Sequence, residues 1–242
     1  MRYRFVDCRF ELGRPERGRE LYLEAHVPGA AFLDVDADLA DLSVPNAGRH
    51  PLPAAERFAT AASRAGIGAG IFVVAYDQGM TGGAARLWWL LRHFGHDDVA
   101  VLRGGISAWA GPLRSGAEEI EPAPFEPSPR PGDTIDADEL AARLGEPGLL
   151  VLDARARERY RGEVEPIDPV AGHIPGARNL PFADAFPPPD DLLAAEEVVV
   201  YCGSGVTACV DLLALAEAGR PDAKLYPGSW SDWSTRGLPV ER

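Results

Sequence analysis

Short apolar blocks alternate with helix-like segments in the second half of the chain. The segment from residue 136 to 145 begins with an aspartate and ends with a glycine, and the segment from 207 to 219 begins near a threonine and also ends with a glycine; both patterns predict helices. The blocks that predict strands are "LLVLDA" (149–154), "ARNLPF" (177–182), "EVVVYC" (197–202) and "AKLYPG" (223–228). Strands that alternate with helices predict an α/β fold, a parallel sheet with helices on both faces.

The same plan occurs twice along the chain, because four motifs recur in the same order. The pairs are "FVDCR" (5–9) with "VLDAR" (151–155), "HVPGA" (26–30) with "HIPGA" (173–177), "VVAYD" (73–77) with "VVVYC" (198–202), and "LRGGISAW" (102–109) with "YPGSWSDW" (226–233). This order predicts two tandem domains that arose by duplication. The first copy is longer between its second and third motifs, so it carries an insertion within residues 35–70.

A segment rich in proline and charge separates the two copies. It covers residues 111–134 and shows no periodicity, which is typical of an ordered or semi-extended linker. We therefore expect a first domain at 1–112, a linker at 113–133 and a second domain at 134–242.

Composition excludes several classes of partner. The chain of 242 residues has a formal net charge of −13, which argues against a nucleic-acid surface and requires a local cation for any anionic substrate. No apolar run reaches transmembrane length, and the start "MRYRFVDCRF" lacks the apolar core of a signal peptide. The three cysteines, Cys8, Cys202 and Cys209, are too sparse for a disulfide framework and have no zinc-site spacing. We expect a cytoplasmic protein that binds neither membrane nor metal.

Cys202 stands where a parallel α/β sheet binds ligands. It ends a buried strand, and a glycine-rich turn ("GSGVT", 203–207) and a helix follow it. Backbone N–H groups in such a turn can point inward and, with the helix N-terminus, stabilise an anion such as a thiolate. Cysteine phosphatases share this plan, but they need an arginine six residues after the cysteine, where this chain has Ala208. The absence of that arginine favours a smaller electrophile, such as a transferable sulfur atom.

The loop "CGSGVTAC" (202–209) resembles the active-site loop of the two-domain rhodanese superfamily, and most closely its mercaptopyruvate branch. "DARARERYRG" (153–162), "GHIPGARNLPF" (172–182) and "YPGSWSDW" (226–233) are similar to the same family, so the resemblance spans nearly the whole chain. It implies two rhodanese-like domains. It also implies that the second domain is catalytic and the first inactive, because Asp77 stands at the position of Cys202.

The resemblance also implies the reaction. Cys202 takes a sulfur atom from 3-mercaptopyruvate or thiosulfate as a persulfide, and a thiol acceptor, such as a thioredoxin-like protein, or cyanide removes it. No metal or organic cofactor is required. The loop residues Gly203, Gly205, Val206 and Thr207 would surround the transferred sulfur.

The donor depends on the basic residues around this loop. Gly203 and Ser204 carry no charge, so cations must come from the arginines of "RARERYRG" (155–162), among which Arg159 resembles a carboxylate-binding arginine of the family. A second substrate arginine of the mercaptopyruvate enzymes has no counterpart here, because Ile167 and Asp168 occupy that segment.

The mercaptopyruvate branch also resembles serine proteases in having a serine–histidine–aspartate relay. Ser204 matches its serine and His50, just before "PLP", matches its histidine. Asp36 is the best match for the aspartate, with Asp34 and Asp38 as alternatives. His50 lies in the insertion of the first copy, which would then extend to the active site.

Two alternatives to an enzyme remain at this stage. One is a non-catalytic rhodanese-like module for binding or regulation. The other is a relay that receives persulfide sulfur from a protein donor.

Overall fold

The computed structural model describes residues 2–242 and divides them between two compact units. The first unit contains the chain up to Asp41 together with Leu52–Arg130, and the second contains Leu42–Pro51 together with Pro131–Arg242. A short segment from the first half of the chain, residues 42–51, is therefore part of the second unit.

The first unit is a four-stranded sheet in the order β2-β1-β3-β4, and every pair of neighbouring strands is parallel. Its strands are β1 (Arg2–Asp7), β2 (Ala31–Phe32), β3 (Ile71–Tyr76) and β4 (Val99–Val101). Its helices are α1 (Arg17–Glu24), α2 (Ala55–Arg64) and α3 (Gly83–His93), with a 3-10 turn at Gly105–Ala108.

The second unit repeats this topology with the strand order β6-β5-β7-β8, again parallel throughout. Its strands are β5 (Leu149–Asp153), β6 (Arg178–Asn179), β7 (Glu197–Tyr201) and β8 (Lys224–Leu225). Its helices are α4 (Ala137–Arg143), α5 (Arg157–Tyr160), α6 (Asp190–Leu193), α7 (Ala208–Glu217) and α8 (Ser229–Thr235), with a 3-10 turn at Phe182–Asp184. The predicted α/β class is confirmed.

The sequence predicts the central elements of this unit better than its edges. Asp136 caps α4 by accepting a hydrogen bond from the backbone N–H of Glu139, as its position before the helix predicts. The predicted edge strands at 177–182 and 223–228 are too long, since β6 and β8 have two residues each. Pro181 and Pro227 follow within two residues of these strands and have no N–H group for a further rung.

The repeated D-x-R motif forms the same buried ion pair in both units. Nη2 of Arg9 lies 2.6 Å from Oδ2 of Asp7, and Nη2 of Arg155 lies 2.6 Å from Oδ2 of Asp153. All four side chains are almost completely buried. Nη2 of each arginine also donates to backbone carbonyls further along its own unit. The motif therefore fixes the end of the first strand against a later segment of the same unit.

The repeated H-x-P-G-A motif is a structural turn in both units. In the second unit, Nδ1 of His173 donates to the carbonyl of Tyr160, and the hydroxyl of Tyr201 accepts from the N–H of Ile174. The first unit makes the equivalent bonds between His26 and Tyr22 and between Val27 and Tyr76. Equivalent hydrogen bonds in both halves support the duplication that the sequence indicates.

The proposed linker contains neither helix nor strand from residue 115 to 133. None of the helices formed by residues 2–242 combines the length and the apolar character needed to cross a membrane.

Candidate active site

Cys202 lies at the end of β7, directly before a tight turn into α7. The strand is buried from Val198 to Tyr201, and Cys202 itself is only 1% exposed. Gly205 has φ of 78°, a left-handed conformation that a glycine adopts without strain. The backbone therefore folds back at once and brings its N–H groups toward the sulfur.

Two backbone N–H groups point at the sulfur of Cys202. That of Gly205 lies 3.1 Å from Sγ and that of Ser204 lies 3.4 Å from it. Both fall within the predicted loop 203–207. In this loop Val206 is buried, whereas Thr207 is partly exposed and immediately precedes α7. The turn thus offers fixed dipoles to a thiolate or persulfide without any charged side chain.

The turn before α8 holds this loop from the other side. The hydroxyl of Ser229 accepts from the N–H of Cys202, and the N–H of Trp230 donates to the carbonyl of Cys202 over 2.9 Å. The N–H of Ser231 donates to the carbonyl of Gly203 over 3.0 Å. Trp230 is fully buried in the core of the unit, so it anchors the loop backbone.

Residues 42–51, which we call the strap, bring His50 to the same loop. Nδ1 of His50 lies 2.7 Å from Oγ of Ser204, and both residues are buried. The strap is fixed where the N–H of Arg49 donates to the hydroxyl of Ser231 over 2.9 Å. A Cβ on Gly48 would lie 2.5 Å from the carbonyl oxygen of Gly228, so this close approach requires glycine.

The three candidate aspartates of the relay belong to the first unit. Asp34 accepts from the backbone N–H groups of Asp36 and Ala37, and Asp38 is bound to Arg64 over 2.7 Å. The part of Asp36 in the relay stays a prediction.

Arg159 belongs to a network of carboxylates beside the loop. Its guanidinium donates to Glu165 over 2.7 and 3.2 Å and to Asp168 over 3.1 Å. Burial opposes ionisation of Glu165, but the bonds from Arg159 and from backbone N–H groups outweigh it, so the pKa of Glu165 is lowered. Glu165 therefore stays charged and holds Arg159 in place.

Arg155, by contrast, has a structural position. It is buried against Asp153, donates to the carbonyl of Gly172, and lies 4.5 Å from the ring centroid of Trp230. Such a fully bonded guanidinium has no edge left for a substrate.

Arg49 is a cation at this loop that the sequence analysis did not identify. Its Nη1 lies 2.6 Å from Oδ1 of Asp168. A Cβ on Gly203 would lie 3.0 Å from Nη2 of Arg49 and 3.4 Å from Nη1 of Arg159. The expectation that cations near Gly203 come from residues 155–162 alone was therefore incomplete; the position of Arg49 next to His50 is the signal that could have revealed it.

Among residues 2–242, no three His, Cys, Asp or Glu side chains are grouped so that they could hold a metal ion. What the described residues provide is a buried thiol with two N–H donors, a hydroxyl–imidazole pair and two guanidinium groups. This arrangement suits nucleophilic sulfur chemistry on a small anionic molecule.

Comparison with known proteins gives the family. A model of the rhodanese-like domain matches residues 2–112 and again residues 136–236. The chain is similar to a Pseudomonas aeruginosa protein named "Probable 3-mercaptopyruvate sulfurtransferase", with 46% identity over 95% of this chain and 88% of the relative. The human 3-mercaptopyruvate sulfurtransferase is 39% identical over 96% of this chain and 84% of its own.

A solved structure agrees with these sequences. The crystal structure of SseA from Escherichia coli, one of the 3-mercaptopyruvate sulfotransferases with the rhodanese fold, superposes with a TM-score of 0.80 at 33% identity. The match covers 95% of this chain and 93% of that one. The chain belongs to the family of proteins built from rhodanese-like domains, and it carries two copies of that domain.

Proposed function

We propose that this protein is a sulfurtransferase that carries a sulfur atom on Cys202. The observation on which the proposal rests is the position of Sγ, buried at the end of β7 and 3.1 and 3.4 Å from two backbone N–H groups. These dipoles favour a charged sulfur before and after transfer, because the thiolate and the persulfide are both anions. The names of the relatives support the same activity.

The first half-reaction loads the enzyme. The thiolate of Cys202 attacks the sulfur of 3-mercaptopyruvate, an S–S bond forms, and the C–S bond of the donor breaks. The electron pair of that bond leaves with the carbon as pyruvate enolate, which takes the proton of the donor thiol and becomes pyruvate. No external oxidant or reductant is needed, because the donor carbon is reduced as its sulfur becomes persulfide sulfur.

The second half-reaction unloads the enzyme. A thiolate acceptor attacks the outer sulfur, the new S–S bond forms on the acceptor, and Cys202 leaves as a thiolate. Cyanide would react at the same sulfur and give thiocyanate. A thioredoxin-like protein is part of this proposal as the acceptor.

Ser204 and His50 would act in the first half-reaction. The hydroxyl of Ser204 would donate to a carbonyl or enolate oxygen of the donor, and His50, whose Nδ1 lies 2.7 Å from Oγ, would stabilise that hydroxyl from the other side. Asp36 would complete the relay. Thiosulfate has no carbonyl, so this pair favours mercaptopyruvate as the donor, with thiosulfate as the second candidate.

The proposal gives the two halves of the chain different roles. The second domain, residues 134–242, would be catalytic, and the first, residues 1–112, would be inactive because Asp77 cannot carry a persulfide. A cytoplasmic location, expected because no apolar run reaches transmembrane length, belongs to the same proposal.

Mass spectrometry of the loaded protein tests the function directly. Incubation with mercaptopyruvate and no acceptor should add one sulfur, about 32 Da, to Cys202 because the thiolate is the nucleophile. Cys202→Ser should fold normally and take up none. Parallel reactions with thiosulfate rank the two donors.

The other two thiols provide the internal control. Burial raises the pKa of Cys8 well above its usual value, and the charges of Asp7 and Asp77 act in the same direction. Sγ of Cys209 donates to the carbonyl of Gly205 over 3.4 Å. Sulfur found on Cys8 or Cys209 would contradict the mechanism. If the protein accepts sulfur from neither mercaptopyruvate nor thiosulfate, the result would favour a persulfide relay or a non-catalytic module.

A further inference from the structure

Arg49 and Arg159 together form an unusual pair of cations beside the catalytic loop. Nη2 of Arg49 and Nη1 of Arg159 lie 3.0 and 3.4 Å from one point in space, the position that a Cβ atom on Gly203 would take. Two nitrogens that close to a common point can donate to the two oxygens of one carboxylate. This point is one bond length from Cα of Gly203, so a bound carboxylate would lie beyond it, against the Cα, where a side chain at position 203 would displace it.

Asp168 orients the two guanidinium groups toward each other. Its Oδ1 accepts from Nη1 of Arg49 over 2.6 Å, and its Oδ2 accepts from Nη2 of Arg159 over 3.1 Å. Asp168 is held in turn, because its N–H donates to Glu165 and its side chain is only 4% exposed. The carboxylate therefore acts as a fixed bridge behind the pair.

Both arginines keep hydrogen-bonding capacity that no group within residues 2–242 uses. Nε of Arg49 is buried and has no partner among the described residues. Nη2 of Arg49 reaches Asp168 only at 3.5 Å, and the hydrogen bonds of Arg159 use its Nε and Nη2 but not Nη1. A buried donor without an acceptor destabilises the empty site, so an anionic group that arrives there gains more than it would at a satisfied arginine.

From this geometry, and on the basis of the proposed function, we infer that Arg49 is a specificity-determining residue that binds the carboxylate of the sulfur donor together with Arg159. Asp168 is the positioning residue of this pair. The strap thus supplies two groups to the site, His50 for Ser204 and Arg49 for the donor.

The charges around the two arginines determine how much their contact with a donor carboxylate contributes to kcat/KM. Glu165 and Asp168 offset the charges of the two arginines, so the site has little net positive charge for long-range attraction. Recognition then depends on direct charge-assisted hydrogen bonds, whose loss corresponds to roughly 10- to 100-fold in kcat/KM.

The test compares two donors that differ only in the carboxylate. Mercaptoacetone keeps the thiol and the ketone of mercaptopyruvate but has a methyl group in place of the carboxylate. In Arg49→Ala, kcat/KM for mercaptopyruvate should fall roughly 10- to 100-fold, mostly through KM, and kcat/KM for mercaptoacetone should stay within about 3-fold. Arg49→Lys, which keeps a charge but not the fork, should be intermediate.

Two further variants separate recognition from structure. Gly203→Ala keeps both arginines but places a methyl group between them, so it should reduce mercaptopyruvate turnover selectively in the same way. Arg157→Ala is the matched control, because Arg157 is on the same short helix as Arg159 but is exposed and paired with Asp184. Arg157→Ala should leave kcat/KM unchanged for both donors.

The results distinguish this inference from the proposed function. If wild type uses mercaptopyruvate and Arg49→Ala leaves the ratio of the two donors unchanged, the assignment of Arg49 is wrong and the function stands. A variant that loses both donors equally also contradicts the assignment, since Arg49 would then act through the loop structure. A wild-type protein that accepts sulfur from neither donor would overturn the proposed function and this inference with it.

Discussion

At the scale of single residues, Ser204 and His50 form a hydrogen-bonded pair that little water can reach. The two are 8% and 4% exposed, and 2.7 Å separates Oγ from Nδ1. A hydroxyl and an imidazole at this distance are joined by one hydrogen bond and act as a unit. Removal of either side chain should therefore abolish most of the function of the pair.

We therefore predict that Ser204→Ala and His50→Gln each lower kcat with mercaptopyruvate roughly 100-fold and that the double variant is no slower than either. Steady-state kinetics of the three variants make a double-mutant cycle. Persulfide on Cys202 from thiosulfate, read by mass spectrometry, checks that the loop is intact. Losses that multiply in the double variant would mean that the two residues act independently.

The sequence predicts some of these residues much better than others. Cys202 is predictable because its position depends on local features, a buried strand, a glycine turn and a helix start. The partner of Ser204 could be found only through a resemblance, since His50 is far away in the chain. Arg49 was missed because its contact with Asp168 depends on how the strap folds, which no local pattern encodes.

At the scale of elements, α7 contains a buried titratable side chain that has no hydrogen bond within residues 2–242. Asp211 is fully buried, and neither of its carboxylate oxygens has a hydrogen bond within residues 2–242. Burial raises the pKa of Asp211 well above its usual value, and the charges of Cys202 and Asp153 add to the effect. The sequence indicates only an apolar helix that ends at Gly219, and it gives no sign that the carboxyl group of Asp211 lacks a hydrogen bond.

This raised pKa makes the stability of the fold depend on pH. The folded state binds the proton of Asp211 more tightly than the unfolded chain, so this group stabilises the fold fully below its unfolded pKa and loses that contribution as pH rises toward the folded pKa. Asp211→Asn removes the titratable carboxyl group, and with it this dependence of the free energy of unfolding on pH. We expect the free energy of unfolding of the variant to rise relative to that of wild type from pH 5 to pH 8, by at most about 1.4 kcal/mol per pH unit.

Urea unfolding at both pH values measures this difference as a free energy of unfolding. Asp138→Asn is the control, because the side chain of Asp138 is 79% exposed and its replacement should leave the pH profile parallel to wild type. Parallel profiles for Asp211→Asn as well would mean that Asp211 is already charged in the folded protein.

At the scale of the whole molecule, the two copies keep the same framework and differ at the tip of the third strand. In the first unit the carboxylate of Asp77 accepts hydrogen bonds from four backbone N–H groups over 2.7 to 3.3 Å, those of Gly79, Met80, Gly82 and Ala84. The anion cradle is therefore present in both copies, but in the first the protein fills it with its own carboxylate.

The internal repeat made this framework predictable from sequence, because the two ion pairs and the two histidine turns depend on short motifs. The filled cradle was not predictable. The segment "QGMTGGA" (78–84) lacks the "GSGVT" pattern of the second copy and so gives no sign of such a cradle, yet its backbone N–H groups also point inward, toward the carboxylate of Asp77. Backbone direction depends on φ and ψ at each residue, and glycines reach the same turn from different sequences.

The cradle alone should nevertheless not make an active site. The double variant Asp77→Cys with Cys202→Ser places a thiol where the first unit offers N–H donors but where Gly79, two residues on, takes the place that Ser204 has after Cys202. We expect it to transfer sulfur from mercaptopyruvate at less than about 1% of the wild-type rate, because removal of the general acid–base pair alone has an effect of this order. Intact-mass measurement after incubation with donor shows whether the new thiol is loaded, and Asp77→Ser with Cys202→Ser is the background. A rate comparable to wild type would mean that the N–H cradle is sufficient for transfer and that the strap and its arginine are dispensable.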